Sequence, residues 1–303
     1  MDFPILNEVN KTNDRCQKHD KPMVMLRGME PFCTECQKEK LAAAEQAQVD
    51  DSFLKHRKRR TVEVLEKDSI IGDPTLWYAE FGNYKTDNKE TQLALEKSRI
   101  AAGQYLDGLN RLNALKREKK MAKQKYGDDS DQVKELNTSL RELDRQTSFN
   151  VIYTGVPGVG KSHLAMSILK GINANAKPYA SCLFVSIADV MRLIRDSFSN
   201  PKSIYTEENM VRLLSEVDLL VLDDLGSEST FQSKNNEASE YNQKVLFPVL
   251  NARSRTIITT NLDSNSLESI YNSKIVSRIY KGVDGNIIKF TQSTKDKRSK
   301  IQF

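Results

Sequence analysis

The run Gly155-Val156-Pro157-Gly158-Val159-Gly160-Lys161-Ser162 has the spacing of a P-loop, and it stands between an apolar segment and an amphipathic one. Phe149-Asn150-Val151-Ile152-Tyr153-Thr154 before it is β-branched and aromatic and reads as a strand. After it, His163 to Lys170 places Leu164, Ile168 and Leu169 on one helical face. Strand, glycine loop and helix in that order point to an α/β fold built on a parallel sheet. The glycines let successive N–H groups turn inward as an anion nest, and the dipole of the following helix adds partial positive charge. The pattern therefore predicts a nucleoside triphosphate site lined by Gly155 through His163. Lys161 would reach the β- and γ-phosphates, and the Ser162 hydroxyl would hold Mg2+.

A second element follows about sixty residues on. Val217-Asp218-Leu219-Leu220-Val221-Leu222 has the pattern of a buried strand and ends in Asp223-Asp224, a Walker B signature. Carboxylates at the carboxyl end of a parallel strand lie beside the P-loop, because ligands of open α/β sheets collect at that edge. Asp223 is expected in the magnesium shell, and Asp224 is expected to orient or deprotonate the attacking water. A third strand, Thr256 to Thr260, runs into Asn261, placed to contact the γ-phosphate and the lytic water. The pair of aspartates taken alone could equally cap a helix; the P-loop upstream decides the reading.

Cysteine usage adds a second chemistry. Cys16-x2-His19, thirteen residues, then Cys33-x2-Cys36 is the spacing of two knuckles that close a loop around one Zn2+. Four protein ligands leave no open position, so the metal would be structural and would supply folding energy to a segment too small to bury a core. Cys182, in the apolar run Cys182 to Ile187, reads as a buried strand residue.

The 303 residues allow one α/β domain and something smaller. No apolar run approaches the roughly 20 residues that span a bilayer. Met1 to Glu8 has neither a basic nor an apolar leader pattern, so no membrane partner and a cytoplasmic location are expected. The net charge of +5 is placed unevenly, in Lys55 to Arg60, Lys116 to Lys125 and Lys295 to Lys300. Such clusters suit phosphate backbones or are solvated faces. The expected organisation is a zinc module over 1–45, an unplaced basic connector over 46–90, a helical hairpin over 91–147 and an ATPase domain over 148–303. In the hairpin, Leu106, Leu109 and Leu112 share one face, and Val133, Leu136, Leu140 and Leu143 recur at helical steps around a break at Tyr126 to Asp131. Asn286 to Phe290 reads as a last strand, with nothing after it long enough for a helical lid.

Taken together, the P-loop with His163-Leu164-Ala165, Leu222-Asp223-Asp224-Leu225-Gly226, the segment Val245 to Arg253, and Ile257-Ile258-Thr259-Thr260-Asn261-Leu262 resemble the DnaC/DnaI family of replicative helicase loaders. The resemblance covers about 150 residues of the carboxyl-terminal half. It implies an AAA+ ATPase with a short or absent lid that loads a replicative hexameric helicase onto single-stranded DNA and self-associates with ATP. Related loaders carry an amino-terminal zinc domain that contacts the helicase. By the same resemblance Ser273 to Ile279 looks like the box that supplies an arginine finger, with Arg278 as the finger. The hairpin looks like material added ahead of the first AAA+ strand, and the arginine that many AAA+ proteins carry in a lid helix has no counterpart, which implies slow hydrolysis without a partner. Two rivals stay open. One is a transposition-helper ATPase with the same core. The other is an adaptor that uses ATP as a switch without hydrolysis, against which the intact Asp223-Asp224 pair argues.

Overall fold

The computed structural model describes residues 10–26, 30–200, 202–230 and 240–297. Arg298, Ser299 and Lys300 of the last basic cluster lie outside the described residues, as does the Met1 to Glu8 segment. The chain divides into two compact units, Met1–Lys58 and Arg59–Phe303.

In the first unit, strand β1 (Asn10–Arg15) pairs antiparallel with β2 (Pro22–Met25). The turn between them is closed by Cys16 N–H to the Lys21 carbonyl and Asp20 N–H to the Cys16 carbonyl, both 2.9 Å. Helix α1 (Thr34–Arg59) begins directly after Cys33 and runs well past the expected end of the module. None of its side chains is buried. A helix that buries no side chain is held by local pairs, here Gln46 with Asp50 and Lys55 with Asp51 at i,i+4.

The second unit is built on a five-stranded parallel sheet of β3 (Asn150–Gly155), β4 (Cys182–Ser186), β5 (Leu219–Asp223), β6 (Thr256–Thr260) and β7 (Ile287–Phe290), in the spatial order β4-β5-β6-β3-β7. Successive side chains of a strand face opposite sides, and both sides are covered. Val151, Tyr153, Leu219 and Val221 pack under α3 (Lys89–Tyr126) and α5 (Lys161–Asn175). Ile152, Leu220, Leu222 and Ile258 pack on the other face with α6 (Ile187–Ser197), α7 (Glu207–Glu216) and α9 (Glu240–Ala252). Cys182 is fully buried, as expected of a strand residue. Short helices α8 (Ser227–Thr230), α10 (Ser264–Ile270) and α11 (Ser273–Ile279) connect the strands, and no helix follows β7 among the described residues. Among these residues no helix is long and apolar enough to cross a membrane.

Residues 46–90, unplaced from sequence, have definite places. Their first part completes α1, and Arg59 grips Asp68 through two bonds of 2.6 and 2.7 Å. Helix α2 (Val64–Asp68) buries Val64 and Leu65, and Ile70 then bridges Val185 in parallel fashion beside β4. A 3₁₀ turn (Pro74–Tyr78), capped by Asp73, carries the chain over α5 to Tyr84.

Helix α3 opens on a capping box of Asn88 and Thr91 and buries Thr91, Ala94, Ser98, Ala101, Tyr105, Gly108, Leu109 and Leu112. These fall at steps of three and four residues, and most are small, which lets the helix approach the core closely. Leu106, expected on the buried face, is only partly buried. Tyr105 stacks on Phe149 at 4.2 Å and donates to its carbonyl, and Ser98 bonds the Tyr153 hydroxyl at 2.6 Å. Helix α4 (Asp131–Gln146) packs on α3 and binds the sheet through Asp144, 2.9 Å from the buried Arg255. The helix pair and the sheet therefore form one unit.

Candidate nucleotide site and metal cluster

The P-loop leaves the carboxyl end of β3 and enters α5 at Lys161. Its backbone requires glycine at two places for different reasons. Gly155 has φ +123°, and a Cβ there would meet the Phe290 carbonyl oxygen of β7 at 1.9 Å. Gly160 has φ +94°, and its Cα faces the Tyr84 ring. Lys161 is only 7% exposed, and a buried ammonium needs partners. Its partners include the carbonyls of Gly155 (2.7 Å) and Val156 (2.8 Å) and Oδ1 of Asn261 (2.7 Å).

Asn261 in turn donates from Nδ2 to Asp224 Oδ1 at 2.9 Å, so Lys161, Asn261 and Asp224 form one chain of bonds. Asp224 has φ +56°, a left-handed conformation unusual for a residue with a side chain. Its N–H donates to the Thr259 hydroxyl (2.9 Å), and that hydroxyl donates to Asp223 Oδ1 (2.6 Å). Thr259 thus fixes both aspartates from the neighbouring strand β6. Burial pushes the Asp223 carboxyl up, opposed by hydrogen bonds from Ser162 and Thr259 and by the charge of Lys161. A divalent cation beside Ser162 and Asp223 would favour the ionised carboxylate, so this donor pair fits Mg2+.

These groups line a cavity of about 460 Å³ with Pro157, Gly158, His163, Tyr84, Lys85 and Lys297. His163 Nε2 lies 3.0 Å from the Glu80 carbonyl, and its ring lies 5.4 Å from that of Tyr84. Arg278 stands elsewhere. It lies on α11, where Nε donates to Asn251 at 3.0 Å, and it lines a shallow surface hollow with Phe247 and Ser273, away from this cavity. Tyr84, Lys297 and Thr259 were not singled out from sequence. Thr259 could have been, as a polar residue ending an apolar strand beside Asn261; Tyr84 carries no local pattern, and Lys297 was marked only as part of a basic cluster with no link to the P-loop.

In the first unit the ligand atoms of Cys16, His19, Cys33 and Cys36 all lie within 4.8 Å of one another. His19 Nδ1 stands 3.7, 3.6 and 3.3 Å from the sulfurs of Cys16, Cys33 and Cys36, and Cys16 and Cys36 are 3.6 Å apart. A tetrahedron with zinc–sulfur bonds of about 2.3 Å has edges of about 3.8 Å, so the set is the right size for Zn2+. The backbone N–H groups of His19 and Lys18 pull the Cys16 thiol down to about 6. The neighbouring Cys16 sulfur and burial push Cys36 up to about 11. Thiols so close cannot both ionise cheaply without a cation between them, which is what a zinc site supplies. Glu39, one turn after Cys36 on α1, holds His19 Nε2 at 3.1 Å and so leaves Nδ1 as the nitrogen that would ligate a metal.

The profile of the IstB-like ATP binding protein family matches residues 89–278. The chain belongs to the IstB-like ATP-binding family. The match takes in the P-loop, both aspartates, Asn261 and Arg278, and it opens at the first residue of α3. The matched span therefore takes in α3 and α4, the hairpin ahead of the first strand of the sheet. With the P-loop strand between the fourth and fifth strands of the sheet, this IstB-like domain has the AAA+ fold. Curated relatives are named replicative helicase loader DnaC. That of Buchnera aphidicola subsp. Acyrthosiphon pisum is 32% identical over 157 residues, 50% of this chain and 59% of the relative. That of Escherichia coli K12 is 29% identical over 135 residues, 43% of this chain and 50% of the relative. The chain thus spans between half and three fifths of these relatives. The crystal structure of the DnaC helicase loader aligns at 21% identity with a TM-score of 0.47, over 72% of this chain and 99% of that one.

Proposed function

We propose that the protein is an ATP-hydrolysing loader of a replicative hexameric helicase onto single-stranded DNA. The observation that carries the reading is the Lys161–Asn261–Asp224 chain of hydrogen bonds, which ties the phosphate-binding lysine to a carboxylate poised for a water. The relatives named DnaC support the choice of cargo. In this reading the P-loop N–H groups and Lys161 hold the phosphates, Ser162 and Asp223 hold Mg2+, Asp224 takes the proton of the attacking water, and Asn261 keeps that water in line. The metal, when bound, neutralises phosphate charge. Cys16, His19, Cys33 and Cys36 hold Zn2+, which supplies folding energy to the first unit.

Arg278 faces away from its own chain's cavity, which suits a finger acting on a neighbouring subunit. Arg278→Ala is expected to lower ATPase activity without weakening nucleotide affinity, and mixing it with Asp224→Asn subunits should restore part of the activity. Mixed subunits that stay inactive would remove the shared-site reading. The exposed lysines of α3 between Lys116 and Lys125 supply phosphate contacts for DNA, so affinity should fall steeply with salt.

The decisive experiment is a pull-down with the cognate replicative helicase, followed by native mass measurement with an ATP analogue and with ADP. A stoichiometric complex is the expected result. A transposition-helper ATPase is the second reading, favoured by the IstB-like family profile itself. Binding of duplex DNA and a transposase, with no helicase complex, would decide for it.

A further inference from the structure

The described start of the last basic cluster, up to Lys297, is tied to the body of the second unit. After β7 the chain turns back over the start of α3: the Thr291 N–H donates to Glu90 Oε1 at 3.0 Å, and the buried Thr294 hydroxyl donates to the other oxygen of Glu90. Asn88 reaches the Ser293 carbonyl (3.2 Å) and Thr294 Oγ1 (3.1 Å) from the same helix start. So anchored, the segment lies along the P-loop. The Lys297 N–H donates to the Gly158 carbonyl at 2.9 Å, and the Asp296 carboxylate packs so tightly on Gly158 that a Cβ there would meet it at 1.9 Å. The Lys297 ammonium then sits 3.8 Å above the Tyr84 ring and on the Lys85 carbonyl. Tyr84 carries the contact inward, since its hydroxyl bonds the Val159 carbonyl at 3.1 Å and its ring backs Gly160.

We propose that the segment from Thr291 to Lys297 is a strap across the nucleotide cavity and that Lys297 is a second cation of the site, acting in cis on the phosphates of a nucleoside triphosphate. The proposal rests on the nucleotide-binding reading and adds a ligand residue to it. Three observations support it. Lys297 lines the same cavity as Lys161, Ser162, Asp223 and Asp224. The groups touching its ammonium, a ring face and a carbonyl oxygen, are neutral, so it is free to move to a stronger anionic partner on its flexible stem. Burial also pushes its pKa down, with Asp87 the opposing charge; an incoming phosphate restores the environment an ammonium prefers. The strap also makes the orientation of α3 part of the nucleotide site, because Asn88 and Glu90 hold it in place.

The test is titration of the full chain with a fluorescent nonhydrolysable ATP analogue and with adenosine, for the wild type, Lys297→Ala and Lys297→Arg, each checked for an unchanged circular dichroism melt. Loss of one charge-assisted phosphate contact is expected to weaken the ATP analogue about tenfold to a hundredfold in Lys297→Ala, while adenosine affinity stays the same and Lys297→Arg binds close to wild type. Lys297→Ala within about twofold of a wild type that binds well would overturn the strap alone. Equal weakening of adenosine and ATP analogue, or an arginine variant as weak as the alanine one, would also overturn it, because the lysine would then act through packing. A wild type that fails to bind the analogue overturns both this proposal and the nucleotide reading beneath it.

Discussion

Asp224→Asn is expected to leave ATP bound and to lower its hydrolysis by about 10² to 10⁴ fold, the usual cost of removing a general base. Asparagine is the informative substitution because Asp224 sits at φ +56°, where asparagine is tolerated and most other residues are strained. The amide oxygen can still accept from Asn261 Nδ2, so the bond chain to Lys161 is kept and only proton-accepting power is lost. Lys161→Ala should act in the opposite way. It removes the donor shared by the Gly155 and Val156 carbonyls and Asn261 Oδ1, together with the cation inside the nest, and ATP binding itself should disappear. Equilibrium binding of an ATP analogue and release of phosphate, measured side by side, separate the two variants. Equal loss of binding in both would show that Asp224 is not a base.

The second large effect concerns the first unit. Freshly purified protein should carry one zinc per chain by metal analysis, and Cys33→Ser should lose that zinc and unfold Met1–Lys58. With β1 and β2 too short to enclose a core and α1 burying no side chain, a bound zinc would be the dominant source of order there, worth about 10 to 16 kcal/mol in comparable small zinc domains. ATP binding should survive, since none of the four ligands belongs to the second unit. Glu39→Gln offers a graded version: it keeps the four ligands but weakens the partner of His19, and zinc affinity should fall about 10- to 100-fold. A freshly purified chain with far less than one equivalent of metal would sink the claim.

The P-loop, the strand ending in Asp223-Asp224 and the strand before Asn261 were legible because each is a local pattern: a fixed spacing, or an apolar run with a polar stop. The Cys/His quartet was legible for the same reason, and the structure draws its four ligand atoms together. What escaped was long-range. Tyr84 reaches the Val159 carbonyl across 75 residues, and Lys297 reaches Gly158 from beyond the last strand; neither position has a periodic neighbourhood to mark it. The buried face of α3 was legible only at Leu109 and Leu112. The eye follows leucines, but this helix docks through Thr91, Ala94, Ser98, Ala101 and Gly108, small residues that hydrophobic patterning passes over although they allow the closest approach.

That docking ends at Leu112, although α3 continues without interruption to Tyr126. One helix therefore has two local stabilities. Opening amides between Thr91 and Leu112 requires pulling Tyr105 and Leu109 out of the core, which approaches global unfolding. Beyond Leu112 no side chain is buried, so those hydrogen bonds can break in a sub-global opening that leaves the sheet intact. Amide exchange should thus fall into two regimes along a single element, with the faster one coinciding with the lysine-rich turns. An anionic or protein partner held there would slow that regime alone, so occupancy of this surface could be followed by exchange rate even while the nucleotide cavity stays silent.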